Sequence, residues 1–318
     1  MAQGDVPATG PAMSERIDSA TASNLNNPGT SKAASGLGAA VLAYVIWGFF
    51  PIYFHPLLGV PAIELVSWRV VFTLPVCLAV VWLSGQGPAL RAALTTPAVL
   101  GRLVLSAAAI GCNWLMYLVA IETHQVLAAS LGYYINPLLN VLIGVVFLNE
   151  RLNRLQWAAV ALAAGGIAVL MAGALSMLGV AMAMAGSFAL YGLVRKFVVV
   201  PSVIGLTVET AVLFVPALLA VLHAASGPAG SALSQGGVVP WLLAGSGVVT
   251  AVPLLLFAVA ARKLDLSTLG FAQFIAPTIL FVLGALLYGE PLDPARVTCF
   301  MLIWAAIALF SYDLLRRR

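Results

Sequence analysis

The chain has 318 residues, of which 62% are hydrophobic and only 8% charged. A water-soluble domain is usually near half apolar and about one quarter charged, so no soluble core could hide this much apolar surface, and the bilayer must be the solvent. The net charge of +4 and pI near 9.1 do not signal nucleic acid, because the basic residues are scattered in pairs between apolar runs.

The apolar runs are about 20 residues long and do not alternate, which predicts helices, a form that satisfies its own backbone in lipid. Residues 1–35 are rich in Ala, Ser, Gly and Asn, carry no apolar stretch, and read as a disordered cytoplasmic tail rather than a signal peptide. Ten spans follow, at 36–58, 62–84, 101–121, 126–148, 155–173, 177–197, 203–224, 238–260, 266–288 and 295–315. The longest connections, 85–100 and 225–237, are rich in Gly, Pro, Ser or Ala and too short for a soluble domain. The expected fold class is all-α integral membrane.

Taken along the chain, each span offers its own polar groups. Trp47 lies mid-span in span 1, away from the interfacial belt where Trp is enriched. Arg69 stands about seven residues into span 2, roughly 10 Å deep at 1.5 Å per residue. A charge there is a functional hypothesis by default. It could pair with Glu209, hold a substrate carboxylate, or snorkel to the surface. Asn113 and Tyr117 share a face of span 3, and Ser187 and Tyr191 share a face of span 6. In span 4, Tyr133, Asn136, Asn140 and Gly144 recur at spacings of three and four, around Pro137. Such a stripe is either a substrate-lining wall with a gating kink or a helix-packing seam. Glu209 lies about seven residues into span 7 with no charged neighbour in sequence. It is the first candidate for a proton or cation site, against a packing role. Gln273 and Pro277 occupy the matching face of span 9. Cys77, Cys112 and Cys299 sit in apolar stretches and read as packing residues. Glu150, Arg151, Arg154, Arg195 and Lys196 read as surface anchors at span ends, and His55, His124 and His223 as residues near the outer ends.

With the N-terminus placed in the cytoplasm, thirteen of the fifteen basic residues fall inside, Arg296 outside and Arg69 within a span. The positive-inside rule then puts both termini in the cytoplasm. A repeat sharpens the topology. SLGYYINPLLNVLIGVVFLNERL at 130–152 aligns without a gap on GFAQFIAPTILFVLGALLYGEPL at 270–292. Ile135, Pro137, Gly144, Glu150 and Leu152 recur as Ile275, Pro277, Gly284, Glu290 and Leu292. A shift of five spans reverses direction, so the halves are expected to be inverted, an architecture of secondary carriers.

Several strings resemble a known family: AYVIWGFFPIYF at 43–54, NWLMYLVAIETH at 113–124, SLGYYINPL at 130–138, NERLNRLQW at 149–157, FALYGLVRK at 188–196, GLTVET at 205–210, TAVPLLLFAVAARKL at 250–264 and STLGFAQFIAPT at 267–278. Together they resemble the RarD branch of the EamA family, in the drug/metabolite transporter superfamily, from about residue 36 onward. The resemblance implies a ten-helix inner-membrane carrier of two inverted five-helix repeats, 36–173 and 177–318, with export favoured. The chain departs from the family pattern at Ala128, Ala129, Glu122 and Thr123.

The expected function is secondary-active transport of a small organic metabolite or drug by alternating access, coupled to protons through Glu209. The expected partners are the solute, protons and the lipid bilayer, in a monomer or homodimer without nucleic acid. No phosphate-binding glycine loop, metal cluster or nucleophile–base pair stands out in the sequence, so neither a cofactor nor catalysis is expected. A membrane sensor or assembly factor, and a membrane enzyme acting on hydrophobic substrates, are the alternatives.

Overall fold

The computed structural model describes residues 28–123, 126–172, 178–228, 230–287, 289 and 292–316. Ten helical spans are long and apolar enough to cross a membrane, and among the described residues there is no strand. The predicted spans are all present, with ends shifted by a few residues. Span 1 begins at Pro28, within the stretch read as tail. Glu290 and His124 lie outside the described residues.

The connection at 85–100 carries a short helix of its own, Gly87–Thr95, with Ala93 buried. Pro88 explains it: at the first turn its missing N–H costs nothing and its fixed φ suits a helix start.

Long apolar side chains point outward over much of the surface, as lipid contact requires. Trp82, Trp157 and Trp241 are exposed and stand close to span ends, the position of an interfacial aromatic belt.

Alternating span ends gather at one basic face. Lys196 Nζ donates to Leu264 O at 2.6 Å, Arg102 Nη1 to Phe197 O at 3.2 Å, and Arg262 Nη2 to Ser202 Oγ at 2.6 Å. Span 5 starts with a reciprocal capping box between Asn153 and Gln156, and Asn153 Nδ2 reaches Asp313 Oδ1 of span 10 at 2.7 Å.

Glu150 is more than a surface anchor. Asn149 takes a left-handed φ of 55°, a helix C-terminal conformation that Asn tolerates. That turn returns the Glu150 N–H to Gly144 O at 3.0 Å. The Glu150 carboxylate then accepts from Leu266 N, Ser267 N and Ser267 Oγ at 2.7, 2.9 and 2.6 Å. It therefore neutralises the positive end of the helix that opens span 9 and ties it to the end of span 4.

The two prolines expected to kink their spans behave differently. Span 9 is two helices, Leu266–Gln273 and Ile275–Leu286, because Pro277 cannot donate to the Gln273 carbonyl. Span 4 carries Pro137 at the equivalent place and stays one helix, Val126–Leu148. The two spans cross closely there, and Gly270 is what permits it: a Cβ at that residue would lie 2.6 Å from Pro137 O.

Glu150→Ala is expected to lower stability by about 1–3 kcal/mol, since it strands N–H donors at the start of span 9. The thermal unfolding midpoint in detergent reads this, with Glu150→Gln falling between wild type and Glu150→Ala.

Candidate functional site

The interior polar groups form two separate centres. The first lies toward the basic face, where Glu209 of span 7 is 1% exposed. Arg195 Nη1 meets Glu209 Oε1 at 3.0 Å, and Ser106 Oγ donates to the same oxygen at 2.6 Å. Arg195 Nη2 donates to Ser202 O at 3.2 Å, where span 7 begins. Both charged side chains are 2% exposed. The Tyr191 hydroxyl stands beside the Glu209 carboxylate, and Arg195 Nε has no hydrogen bond among the described residues. Gly205 makes the pair possible, because a Cβ there would overlap the Arg195 guanidinium.

Arg195 therefore is not an end marker of span 6, as the sequence suggested, but the buried partner of Glu209. A signal for this was present. Arg195 follows Tyr191 by four residues, so the helical face that carries Tyr191 also carries the arginine. Ser106 is likewise an i−7 neighbour of Asn113 on span 3. Both were passed over, since a basic residue near a span end is usually an anchor.

Above this pair sits an aromatic cluster. Tyr191 stacks on Phe257 with centroids 5.5 Å apart, and Phe188 lies 5.2 Å from Phe257. Trp47 of span 1 packs 5.9 Å from both Phe188 and Phe257, and Tyr44 packs 5.4 Å from Trp47. Trp47 and Tyr191 thus belong to one cluster, joined by Phe188 and Phe257, which periodicity alone marks only as apolar.

The span 4 stripe divides among different contacts. Asn140 Nδ2 donates to Gln273 Oε1 at 2.7 Å, bridging spans 4 and 9 at their crossing. Asn136 is 2% exposed, and its Oδ1, like Asn140 Oδ1, lacks a hydrogen bond. Asn113 Nδ2 donates to Met184 O at 2.8 Å and fastens span 3 to span 6. Pro137 and Pro277 are buried at the crossing of spans 4 and 9 and in the second half of span 9, respectively.

The second centre is Arg69. It does not pair with Glu209 and does not snorkel. Its Nε donates to Thr250 Oγ1 of span 8 at 3.1 Å. Its guanidinium carbon lies 5.1, 5.6 and 5.7 Å from the ring centroids of Phe54, Phe50 and Trp114. Tyr117 and Tyr133 are close enough to interact with its charge. Spans 1, 3, 4 and 8 therefore enclose the group, which turns it inward rather than to the surface. Tyr133 nevertheless keeps 39% of its surface accessible, and Arg69, Tyr117 and Trp114 are half-buried. A water-sized void of about 10 Å³, lined by Val70, Thr73, Trp114, Thr210, Leu213 and Leu254, lies among spans 2, 3, 7 and 8. A larger cavity of about 360 Å³ among spans 4, 5 and 6 has an almost wholly apolar lining that includes Ile135, Ile167 and Met171.

Ten apolar spans around an interior that holds one buried ion pair and one half-buried arginine among aromatic rings define a polytopic membrane protein. The chain belongs to the EamA family, in its RarD branch. The model of the EamA-like transporter family matches residues 34–172. Protein RarD of Salmonella typhimurium is 41% identical over 278 residues, covering 87% of this chain and 95% of that protein. A protein named as an uncharacterized transporter in Vibrio cholerae is 40% identical over 286 residues, covering 90% and 95%. One solved crystal structure superposes with a TM-score of 0.70 at 20% identity, covering 90% of this chain and 99% of that one, which shows the shared fold.

Removing one member of the buried pair should cost more than removing both. Glu209→Ala is expected to destabilise by about 3–5 kcal/mol, and the double variant Arg195→Met/Glu209→Leu to recover most of that loss. Chemical denaturation of the purified variants measures the difference.

Proposed function

We propose that this chain is a secondary-active carrier that moves a small organic solute across a bacterial inner membrane by alternating access. The observation that carries this reading is the unequal state of the two centres. Arg69 is half-buried beside the exposed Tyr133, whereas the Arg195 and Glu209 side chains are each 2% exposed. A carrier open on one side and closed on the other has this form. The naming of relatives as transporters supports it.

The two halves rock as inverted units in this mechanism. Support comes from the helix pairings. Span 4 on 6 corresponds to span 9 on 1, span 1 on 8 to span 6 on 3, and span 2 on 8 to span 7 on 3, while spans 2 and 7, 4 and 9, and 5 and 10 pair with each other. Each pairing maps onto another, or onto itself, under a shift of five spans. Asn149 and Gly289, 140 residues apart, also share the left-handed conformation at the ends of spans 4 and 9.

Coupling is assigned to Glu209. Arg195 and Ser106 donate to the carboxylate while the pair is closed, and such hydrogen bonds favour its charged form. When the halves rock and the pair opens, a carboxylate left in a low-dielectric interior is far cheaper protonated. Opening the basic face and taking up a proton are therefore linked in one group.

Radiolabelled solute accumulation in vesicles under an imposed pH gradient tests the reading. Glu209→Gln keeps an oxygen that can accept from Arg195 and Ser106 but removes the titratable charge. It is expected to abolish pH-driven transport while leaving the protein folded and able to bind solute, with an unfolding midpoint below wild type because Arg195 keeps its charge without a counter-ion. Retained pH-driven transport in that variant removes Glu209 from the coupling role.

A further inference from the structure

We propose that Arg69 is the recognition group for the carboxylate of a small, singly charged organic anion with a flat apolar body. The inference rests on the carrier reading and names the substrate class of that pathway.

The first argument is electrostatic. Arg69 remains protonated under any ordinary condition, and a lone cation in the interior of a membrane protein carries a large desolvation cost. Among the described residues it has no ion pair; the one ion pair within the spans belongs to Arg195 and Glu209. Glu64, its nearest carboxylate in sequence, is occupied elsewhere. It accepts from Trp68 Nε1 at 3.1 Å, Ser231 Oγ at 3.0 Å and Ala232 N at 2.7 Å. Thr250 satisfies one Arg69 nitrogen and supplies no charge. The other interior arginine, Arg195, holds its counter-charge in Glu209, so the open position at Arg69 points to a counter-charge that arrives from outside.

The second argument is geometric. A guanidinium offers a planar fork that fits a carboxylate with two parallel hydrogen bonds. With Nε committed to Thr250, the two terminal nitrogens hold no hydrogen bond among the described residues. The hydroxyls of Tyr117 and Tyr133 stand near the same charge and make no hydrogen bond of their own, so they are further donors for the anion. One cation matches one negative charge; a dianion would leave its second charge desolvated and unmatched.

The third argument concerns the rest of the ligand. Phe50, Phe54 and Trp114 stand around the guanidinium. Flat rings favour a flat apolar body by offset or edge contact. A carboxylate without such a body, like acetate, would gain the fork but none of this burial.

The test uses the purified full-length chain in detergent. Three matched probes differ only in the polar end: 3-phenylpropionate, 3-phenylpropionamide and 3-phenylpropylamine. Binding is read as a concentration-dependent rise in unfolding temperature. The carboxylate is expected to bind, with the amide and the amine weaker by at least about tenfold. Arg69→Gln should lose at least about tenfold in affinity for the carboxylate, and Thr250→Val, which only unfastens the guanidinium, should lose less. Equal shifts from the three probes, no shift from the carboxylate at millimolar concentration, or an unchanged shift in Arg69→Gln would overturn the proposal. Displacement of 3-phenylpropionate by phosphatidylglycerol but not phosphatidylcholine would assign the anion to a lipid headgroup and overturn it too. Counterflow of the same probes in proteoliposomes separates this proposal from the reading beneath it. Carboxylate binding without flux keeps the anion site and removes the carrier. Equal flux of the three probes keeps the carrier and removes the anion site.

Discussion

Charge and backbone polarity must be satisfied without water, and most of the internal organisation of this chain follows from that constraint. An unmatched ion or peptide group in a low-dielectric interior costs several kcal/mol. The protein meets this cost at several internal polar groups with a partner on a different span. Glu209 takes Arg195 and Ser106 from spans 6 and 3. Asn140 takes Gln273 from span 9, and Asn113 takes a carbonyl of span 6. Since lipid is as apolar as leucine, apolar contact alone discriminates poorly between helix arrangements. These few polar bridges therefore carry much of the specificity of the bundle.

The small residues belong to the same argument. Close approach between spans strengthens each polar bridge and excludes lipid from it. Gly205 clears the volume that Arg195 needs, and Gly270 lets span 9 reach span 4 where Asn140 meets Gln273. The break in span 9 directly follows Gln273, so the residue that bridges to span 4 also ends a rigid segment. A joint placed beside a bridge can alter the angle of the outer half of the span without breaking the contact below it.

Span number, span positions and the gathering of basic residues at one face were legible because each is a property of local composition. Partnerships were less so. Glu209 and Arg69 could be singled out as charges within apolar runs, but their equivalent places in the repeat suggested a pair that does not form. Depth decides the matter: Glu209 enters from one side and Arg69 from the other, and each finds a nearer partner in Arg195 or Thr250. Arg195 was misread because its place near a span end outweighed its spacing from Tyr191. Glu150 was misread because its role depends on a left-handed turn at Asn149 and on a helix start 116 residues away in sequence. The helix at Gly87–Thr95 was hidden by its Gly-Pro start, which marks a turn and a helix N-terminus equally well. Such failures share one cause: pattern along the chain reports which groups need partners, and only packing reports which partners they take.

The offset of 140 residues that aligns Pro137 with Pro277 also aligns Arg69 with Glu209, Ser106 with Ser246 and Arg195 with His55. The two centres therefore descend on equivalent frames yet are solved in opposite ways. One is an acid already neutralised by a resident arginine. The other is an arginine with no resident acid among the described residues. On the proposed mechanism this asymmetry gives the transport cycle its logic. The basic face closes on its own pair, so it can be shut without solute. The Arg69 side would have to desolvate a lone cation in order to close, which a neutralising anion makes far less costly. Closure on that side then depends on solute, whereas opening on the other side depends on breaking the pair and loading its acid with a proton. A carrier whose two gates answer to different charges leaves the outward-open state only when both are met, the anion at Arg69 and the proton at Glu209.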